Sequence, residues 1–368
     1  MNSHYNTAIR ALIGFTAALL AQAAPAAGFY ISEVGTPGSL GTAGVANPVN
    51  TVSADSSWTN PAGMTRLDRS QVLIGVQPLL VRAKFDGALT TEELARFEAF
   101  DLVYRSLCAL LYNYVPQSGH PGGSISSGRI VAGVLFDAMD YELAQPDRED
   151  ADIISYAAGH KAMGLYAMWA LRNEVVKQTH PGMLPEVLQQ MRLEDLLGFR
   201  KNPITSTPLF KEFGAKPLDG HPTPETPFVW LSTGPSGVGV ATSVGLAMTL
   251  KDMHRERAPA VHVIEGEGGM TPGRVAESLA AAATSGLDNL YFHVDWNQAS
   301  IDSNAVTRDG GVPGEYVQWD PCEFLLMHGF NVIYVADGFD FAQIREAQKR
   351  AEALDNGRPT GIVYRTVK

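Results

Sequence analysis

From about residue 90 to the end of the chain, short apolar runs rich in β-branched residues alternate with longer helical patterns. This alternation predicts a parallel sheet, because neighbouring parallel strands need a crossover that is usually a helix. We therefore expect an α/β fold with a doubly wound parallel sheet and helices on both faces, and ligands at the carboxyl ends of the strands. The predicted strands are 152–155, 261–265, 290–294, 331–335 and 361–365. The predicted helices are roughly 92–114, 125–139, 160–177, 237–251, 273–285 and 340–354.

The first 86 residues differ in character from the rest of the chain. They carry a net charge of +1. The remaining residues carry a net charge of −12, which gives −11 for the whole chain. Arg10 precedes an apolar run over 11–24, and small residues follow it at 24–27. This pattern is typical of a signal peptide cleaved before Gly28, and the run is shorter than the ~20 apolar residues of a membrane-spanning helix. A buried N-terminal helix is the alternative interpretation.

The segment after the predicted signal peptide lacks the periodicity of a folded core. Residues 28–60 consist largely of loop-forming residues, and 71–85 predict one strand, which cannot fold alone. The predicted organisation is therefore a signal peptide over 1–27, an irregular segment over 28–86 and an α/β domain over 87–368.

Composition excludes several classes of protein. The acidic balance, with a pI near 5.3, argues against a nucleic-acid partner, which requires a basic surface. The two cysteines, Cys108 and Cys322, are too few for a disulfide scaffold or a zinc site built from cysteine alone.

Two oxygen-bearing side chains follow two of the predicted strands. Gly266-Glu267-Gly268 comes after the strand at 261–265, and Asn297 comes after the strand at 290–294. Both turns are expected at the same edge of the sheet, where the side-chain oxygens can converge on a divalent cation such as Mg²⁺ or Ca²⁺. Gly266 and Gly268 permit close approach of the backbone to a ligand. An ordinary turn between a strand and a helix is the alternative.

Three of the nine histidines each follow a glycine in a turn-like setting: His120, His160 and His221. His120 lies in Ser118-Gly119-His120-Pro121-Gly122-Gly123, and the run from Thr233 to Gly239 (TGPSGVG) follows His221. With an unperturbed pKa of ~6.5, histidine can donate or accept a proton near neutral pH. A capped or solvated turn residue is the alternative for any one of them.

Taken in order, these motifs resemble those of the N-terminal, thiamine diphosphate-binding half of transketolase, and the resemblance spans 87–368. It implies that His160 contacts the cofactor's diphosphate and that His120 and His221 are catalytic, lining the cleft above the thiazolium ring. It also implies metal ligation by Glu267, Asn297 and the carbonyl of Ala299. The remaining cofactor-binding residues that it implies are Gly234, Pro235, Ser236, Gly266 and Gly268.

The sequence departs from the family pattern at several positions. Glu267 stands where the family usually has Asp, and Ser236 and Val238 replace Leu and Gln. Lys161 follows His160 where small residues are usual, and we expect a solvated charge at the start of a helix.

The resemblance implies transfer of a two-carbon ketol unit between sugar phosphates. In transketolases the acid that activates the cofactor lies in a second, pyrimidine-binding domain, after the position where this sequence stops. We therefore expect a homodimer, or a heterotetramer with a pyrimidine-domain chain, unless the sequence is a fragment. The alternatives are a component of a 2-oxo-acid dehydrogenase and a non-functional gene fusion.

Residues 28–85 resemble the mature N-terminus of the outer-membrane long-chain fatty-acid transporter family, including Asn60-Pro61-Ala62. The α/β pattern that follows implies that transport is not carried by this chain, although a secreted or outer-membrane binding protein is a further alternative. The enzyme domain predicts a cytoplasmic location, whereas the signal peptide predicts export to the periplasm.

Overall fold

Five parallel strands form a single sheet in a computed structural model of the chain, which describes residues 89–115, 120–200, 208–254, 257–299 and 316–367. The spatial order of the strands is β1-β2-β3-β5-β4. Their bounds are β1 Ile153–Ser155, β2 Val261–Gly266, β3 Leu290–Trp296, β4 Asn331–Val335 and β5 Thr360–Arg365. The predicted α/β class and the parallel sheet are therefore confirmed.

Three helices precede β1, and the other described helices lie between successive strands in chain order. Their bounds are α1 Thr91–Tyr114, α2 Pro121–Ser126, α3 Gly128–Gly133, α4 Ala162–Thr179, α5 Pro208–Glu212, α6 Val238–Met253, α7 Gly273–Thr284, α8 Pro321–Met327 and α9 Phe341–Glu352. Short 3-10 turns occupy Gly159–Lys161, Pro181–Met183, Val187–Gln189, Leu193–Gly198 and Glu267–Met270. Thr90 caps α1 reciprocally with Glu93, which satisfies two of the free N–H groups at the helix start.

The predicted helix at 125–139 is wrong as a single element. Helices α2 and α3 and a π-helical turn at Val134–Ala138 replace it. Pro121 opens α2, where its missing N–H costs nothing, so the first helix begins four residues earlier than the pattern indicated. Helix α8 was not predicted, although Asp320 caps it and Pro321 occupies its first position.

Side chains alternate between the two faces of the sheet, and helices cover both. Val263, Phe292 and Val363 belong to a core shared with α6, α7 and α8. Ile154 and Ile264 point into the opposite core, which includes buried residues of α1, α3 and α4. Most residues of β1, β2, β3 and β5 are therefore buried, whereas β4 is only partly buried.

The described residues all lie in the unit Phe85–Lys368. The predicted signal peptide, the predicted strand at 71–85, and Ser118 and Gly119 lie outside the described residues. Within the described ranges, every helix is too short or too polar to cross a membrane.

Candidate functional site

A pocket of about 240 Å³ lies where β2 and β3 end and the following turns begin. This is the edge at which the sequence predicted a ligand site. Eight of the predicted site residues line it: His160, Gly234, Ser236, Gly266, Glu267, Gly268, Asn297 and Ala299. His120, His221 and Pro235 are not among the lining residues.

The carboxylate of Glu267 and the amide oxygen of Asn297 face a common point. The backbone N–H of Ala299 donates to Glu267 Oε1 and to Asn297 Oδ1, at 3.1 Å in each case. The backbone N–H of Asn297 donates to Glu267 Oε2 at 3.3 Å. The Glu267 carboxylate and the Asn297 amide oxygen therefore share one N–H donor at the edge of the pocket, and oxygen atoms of these two kinds are the ligands that a hard cation takes.

Burial is the main influence on the ionisation of Glu267. The side chain is 1% exposed. Burial, together with the nearby carboxylate of Asp295, raises the pKa of Glu267 to about 7. A divalent cation beside the Glu267 carboxylate would favour its charged form. Carboxylate oxygens are among the ligands that Mg²⁺ takes, so Glu267 suits that cation. The described ranges contain no cluster of three His, Cys, Asp or Glu side chains suited to a metal. The predicted ligand set is different in composition, because it combines one carboxylate with a side-chain amide and a backbone carbonyl.

The three glycine–histidine motifs come together near the pocket. The rings of His120 and His160 lie 6.1 Å apart in an edge-on arrangement. A Cβ atom on Gly159 would lie 2.6 Å from His221 Cδ2, and one on Gly234 would lie 3.4 Å from His221 Nδ1. Both glycines thus leave room for the ring of His221. Burial, and then Arg200, lowers the pKa of His221.

The loop before α6 brings further predicted residues to the pocket. Pro235 accepts a hydrogen bond from the N–H of Val238 at 3.1 Å, and Gly237 adopts a left-handed conformation with φ of 78° at the helix start. This turn presents Ser236 and Gly234 to the pocket.

The turn after β2 is shaped by glycines and by a second buried carboxylate. Glu265 Oε1 accepts from the N–H of Gly266 at 2.9 Å, whereas Glu265 Oε2 is buried without a partner. Burial raises the pKa of Glu265 to about 7. A Cβ atom on Gly269 would collide with the Glu265 carboxylate. The sequence assigned Glu265 only to a strand, although its place at the strand end was a signal for the site.

A buried polar cluster centred on Asp295 was also missed. Asp295 Oδ2 accepts from Ser126 Oγ at 2.6 Å, Lys161 Nζ at 2.7 Å and Asn297 Nδ2 at 3.1 Å, and Thr366 Oγ1 donates to Oδ1. The prediction that Lys161 is solvated is wrong, since Lys161 and Asp295 are each 1% exposed. Asp295 accepts from the amide nitrogen of Asn297, whose oxygen in turn accepts from the N–H of Ala299.

The structure combines a parallel α/β sheet with glycine-rich turns and oxygen-bearing side chains at the ends of adjacent strands. This combination is typical of proteins that bind a phosphorylated cofactor at the edge of the sheet. A family model described as "Transketolase, thiamine diphosphate binding domain" matches residues 180–368, more than half of the chain. The chain belongs to this family.

Known relatives and solved structures agree with this assignment. The chain is 30% identical over 255 residues to transketolase-like protein 2 of Mus musculus and 29% identical over 254 residues to transketolase of Pongo abelii. Each match covers 68% of this chain and 34% of the relative, so the chain spans about a third of the relatives' length. The transketolase structure from Leishmania mexicana aligns with a TM-score of 0.56 at 26% identity, covering 73% of this chain and 36% of that one.

A second family model, described as "Outer membrane protein transport protein (OMPP1/FadL/TodX)", matches residues 17–119. This agrees with the resemblance noted for the N-terminal segment. The end of the match includes helix α1, whose buried residues Tyr104, Cys108 and Leu111 pack in the core of the α/β unit.

Proposed function

We propose that this chain binds the diphosphate of thiamine diphosphate together with Mg²⁺ at the ends of β2 and β3. The observation that carries the proposal is the convergence of Glu267 and Asn297 on the N–H of Ala299, at 3.1 Å from an oxygen of each side chain. The carbonyl of Ala299 is proposed as the third protein ligand. Membership of the thiamine diphosphate-binding family supports the identity of the cofactor.

The roles proposed for the residues around the metal ligands follow the family resemblance. His160 lines the pocket and is proposed to donate to the diphosphate, while Gly266 and Gly268 leave space for it. His120 and His221 are proposed as the catalytic histidines that orient and exchange protons with substrate. Bound thiamine diphosphate would supply the carbanion chemistry.

The proposed reaction is transfer of a two-carbon ketol unit between sugar phosphates, as in a transketolase. The chain spans about a third of its relatives' length. We therefore propose that it acts with the pyrimidine-binding part of a transketolase, on a partner chain or on a continuation of this one. The alternative is a component of a 2-oxo-acid dehydrogenase. The two are distinguished by offering the complete enzyme a sugar phosphate or a 2-oxo acid as donor.

The location of the chain is a separate proposal. We propose that the domain over 87–368 acts in the cytoplasm. The predicted signal peptide would instead direct the chain to the periplasm. Cell fractionation with antibodies against the α/β domain tests it. Recovery of the domain in the periplasm or outer membrane would favour the alternative of a secreted or outer-membrane protein, which the match over 17–119 supports.

The metal site is tested with Glu267→Ala and Asn297→Ala. Each variant removes one oxygen ligand from a cation that tolerates incomplete coordination poorly, so each should abolish Mg²⁺-dependent binding of thiamine diphosphate in a calorimetric titration. Glu186→Ala, at an exposed position, is the control and should bind normally. Unchanged affinity in both site variants, with normal circular dichroism, would refute the metal site.

A further inference from the structure

The side chain of Lys161 enters the pocket from the turn that follows β1. Lys161 ends the 3-10 turn Gly159–Lys161, directly after His160 and before α4. A Cβ atom on Gly123 would lie 3.0 Å from Lys161 Cγ and 3.1 Å from Lys161 Cε. Gly123 therefore leaves the space in which the aliphatic part of the lysine is buried.

The ammonium group lies beside the glycine turn of the predicted diphosphate site. Lys161 Nζ is 3.6 Å from the position of a Cβ on Gly266, and Lys161 lines the same pocket as His160 and Glu267. An ammonium group has three N–H donors. Among the described residues, Lys161 Nζ donates to Asp295 alone, which leaves two donors without a protein acceptor there.

Pairing with Asp295 does not account for a buried lysine at this position. Ser126, Asn297 and Thr366 already donate to the Asp295 carboxylate. Burying an ammonium group is destabilising unless its remaining donors are satisfied. The two remaining N–H groups of Lys161 are therefore suited to an additional hydrogen-bond acceptor bound in the pocket.

The charges of the pocket indicate what that acceptor is. The carboxylates of Glu265 and Glu267 line the pocket and would repel an anion, and Asp295 adds a further carboxylate beside Lys161. A diphosphate carries several negative charges and many acceptor oxygens, so its binding there needs fixed positive charge in addition to a divalent cation. Lys161 is the lysine that lines this pocket among the described residues.

We propose that Lys161 is a diphosphate-binding residue of this chain, donating its unused N–H groups to phosphate oxygens while Asp295 holds its position. This inference rests on the proposed function, because the diphosphate in question is that of the proposed cofactor. It assigns to Lys161 a role that supplements the Mg²⁺ ligands.

The test is a calorimetric titration of the full chain with thiamine diphosphate and with thiamine, each in the presence of Mg²⁺. Lys161→Met keeps the aliphatic length and removes the charge. The double variant Lys161→Met/Asp295→Asn also removes the carboxylate charge that would otherwise be left buried without a cationic partner. Lys251→Met breaks a different lysine–carboxylate pair, with Asp288 at 2.6 Å, and is the matched control.

A charge-assisted hydrogen bond contributes enough that both Lys161 variants should bind thiamine diphosphate about 10- to 100-fold more weakly. Their affinity for thiamine should not change, and Lys251→Met should match the wild type. In the wild-type chain, the isotope-labelled Lys161 ammonium nitrogen should shift its resonance on addition of thiamine diphosphate but not of thiamine. This measurement needs no folded variant.

The outcomes separate this inference from the proposed function. If the wild type fails to bind thiamine diphosphate with Mg²⁺, the proposed function is wrong and the inference fails with it. If the wild type binds but the double variant binds equally well, or the ammonium resonance does not respond, Lys161 is only the partner of Asp295. The proposed function then stands and the inference is overturned.

Discussion

Gly159→Ala should destabilise the protein because His221 occupies the space that the new methyl group needs. The added Cβ would lie 2.6 Å from His221 Cδ2 and 3.1 Å from His221 Cγ. Ordinary carbon–carbon contacts begin near 3.4 Å, so the ring must move by about 0.8 Å. Its movement is restricted, because Gly234 lies against the other side and Tyr166 Oη donates to the carbonyl of His221 at 3.2 Å. Overpacking of this kind costs about 1–3 kcal/mol.

The assay is urea denaturation followed by circular dichroism, with Gly245→Ala as the matched control. Gly245 lies on the exposed side of α6 with no atom within 4 Å of the added Cβ, so alanine should raise the free energy of unfolding by about 0.5–1 kcal/mol. The same substitution thus has opposite signs at the two positions. A Gly159→Ala variant as stable as the wild type would refute the packing of His221 on this turn. The displaced ring should also weaken thiamine diphosphate binding in Gly159→Ala but not in Gly245→Ala.

The remaining predictions concern the core, the buried histidines and the domain boundary. Leu325→Ala should lower the free energy of unfolding by about 2–5 kcal/mol in urea, because Leu325 is fully buried; a loss under about 1 kcal/mol would contradict its packing. Burial, with a contribution from Arg345, lowers the pKa of His262 to about 3, below the ~6.5 of an unfolded chain. Because the unfolded state then binds more protons, the free energy of unfolding falls as the pH drops below ~6.5. At pH 5 the loss should be about 2 kcal/mol from this residue, and His262→Asn should show a correspondingly shallower pH dependence, whereas an unchanged slope would contradict a neutral buried His262. A shortened chain of residues 87–368 should unfold cooperatively, and failure to fold would place the domain boundary elsewhere.

Much of the sheet can be predicted from the sequence because its strands are buried on both faces. Residues 261–265 of β2 are all buried, so the strand appears in the sequence as a short, largely apolar run, interrupted by His262 and ending in a carboxylate. The helices are less regular, since the predicted helix at 125–139 is interrupted at Ser127 and ends in a π-helical turn at Val134–Ala138. Local periodicity does not contain that information.

The site could be predicted where strand ends determine positions, and not where tertiary packing does. Glu267 and Asn297 follow neighbouring parallel strands, so the topology alone brings them to one edge. The burial of Lys161 depends on the space beside Gly123 and on Asp295, which lies 134 residues away. A lysine after His160 has the same local pattern whether it is solvated or buried, so the sequence could not distinguish the two.

The most direct test of the proposed cofactor site is a crystal structure of the chain with thiamine diphosphate and Mn²⁺, with the metal located by anomalous scattering. Mn²⁺ replaces Mg²⁺ because both accept oxygen ligands. We expect one Mn²⁺ ion bound by side-chain oxygens of Glu267 and Asn297, with the diphosphate beside Gly266 and Gly268. Metal or cofactor bound elsewhere, for example in the separate cavity lined by His262 and Asp152, with the turns after β2 and β3 vacant, would contradict the account.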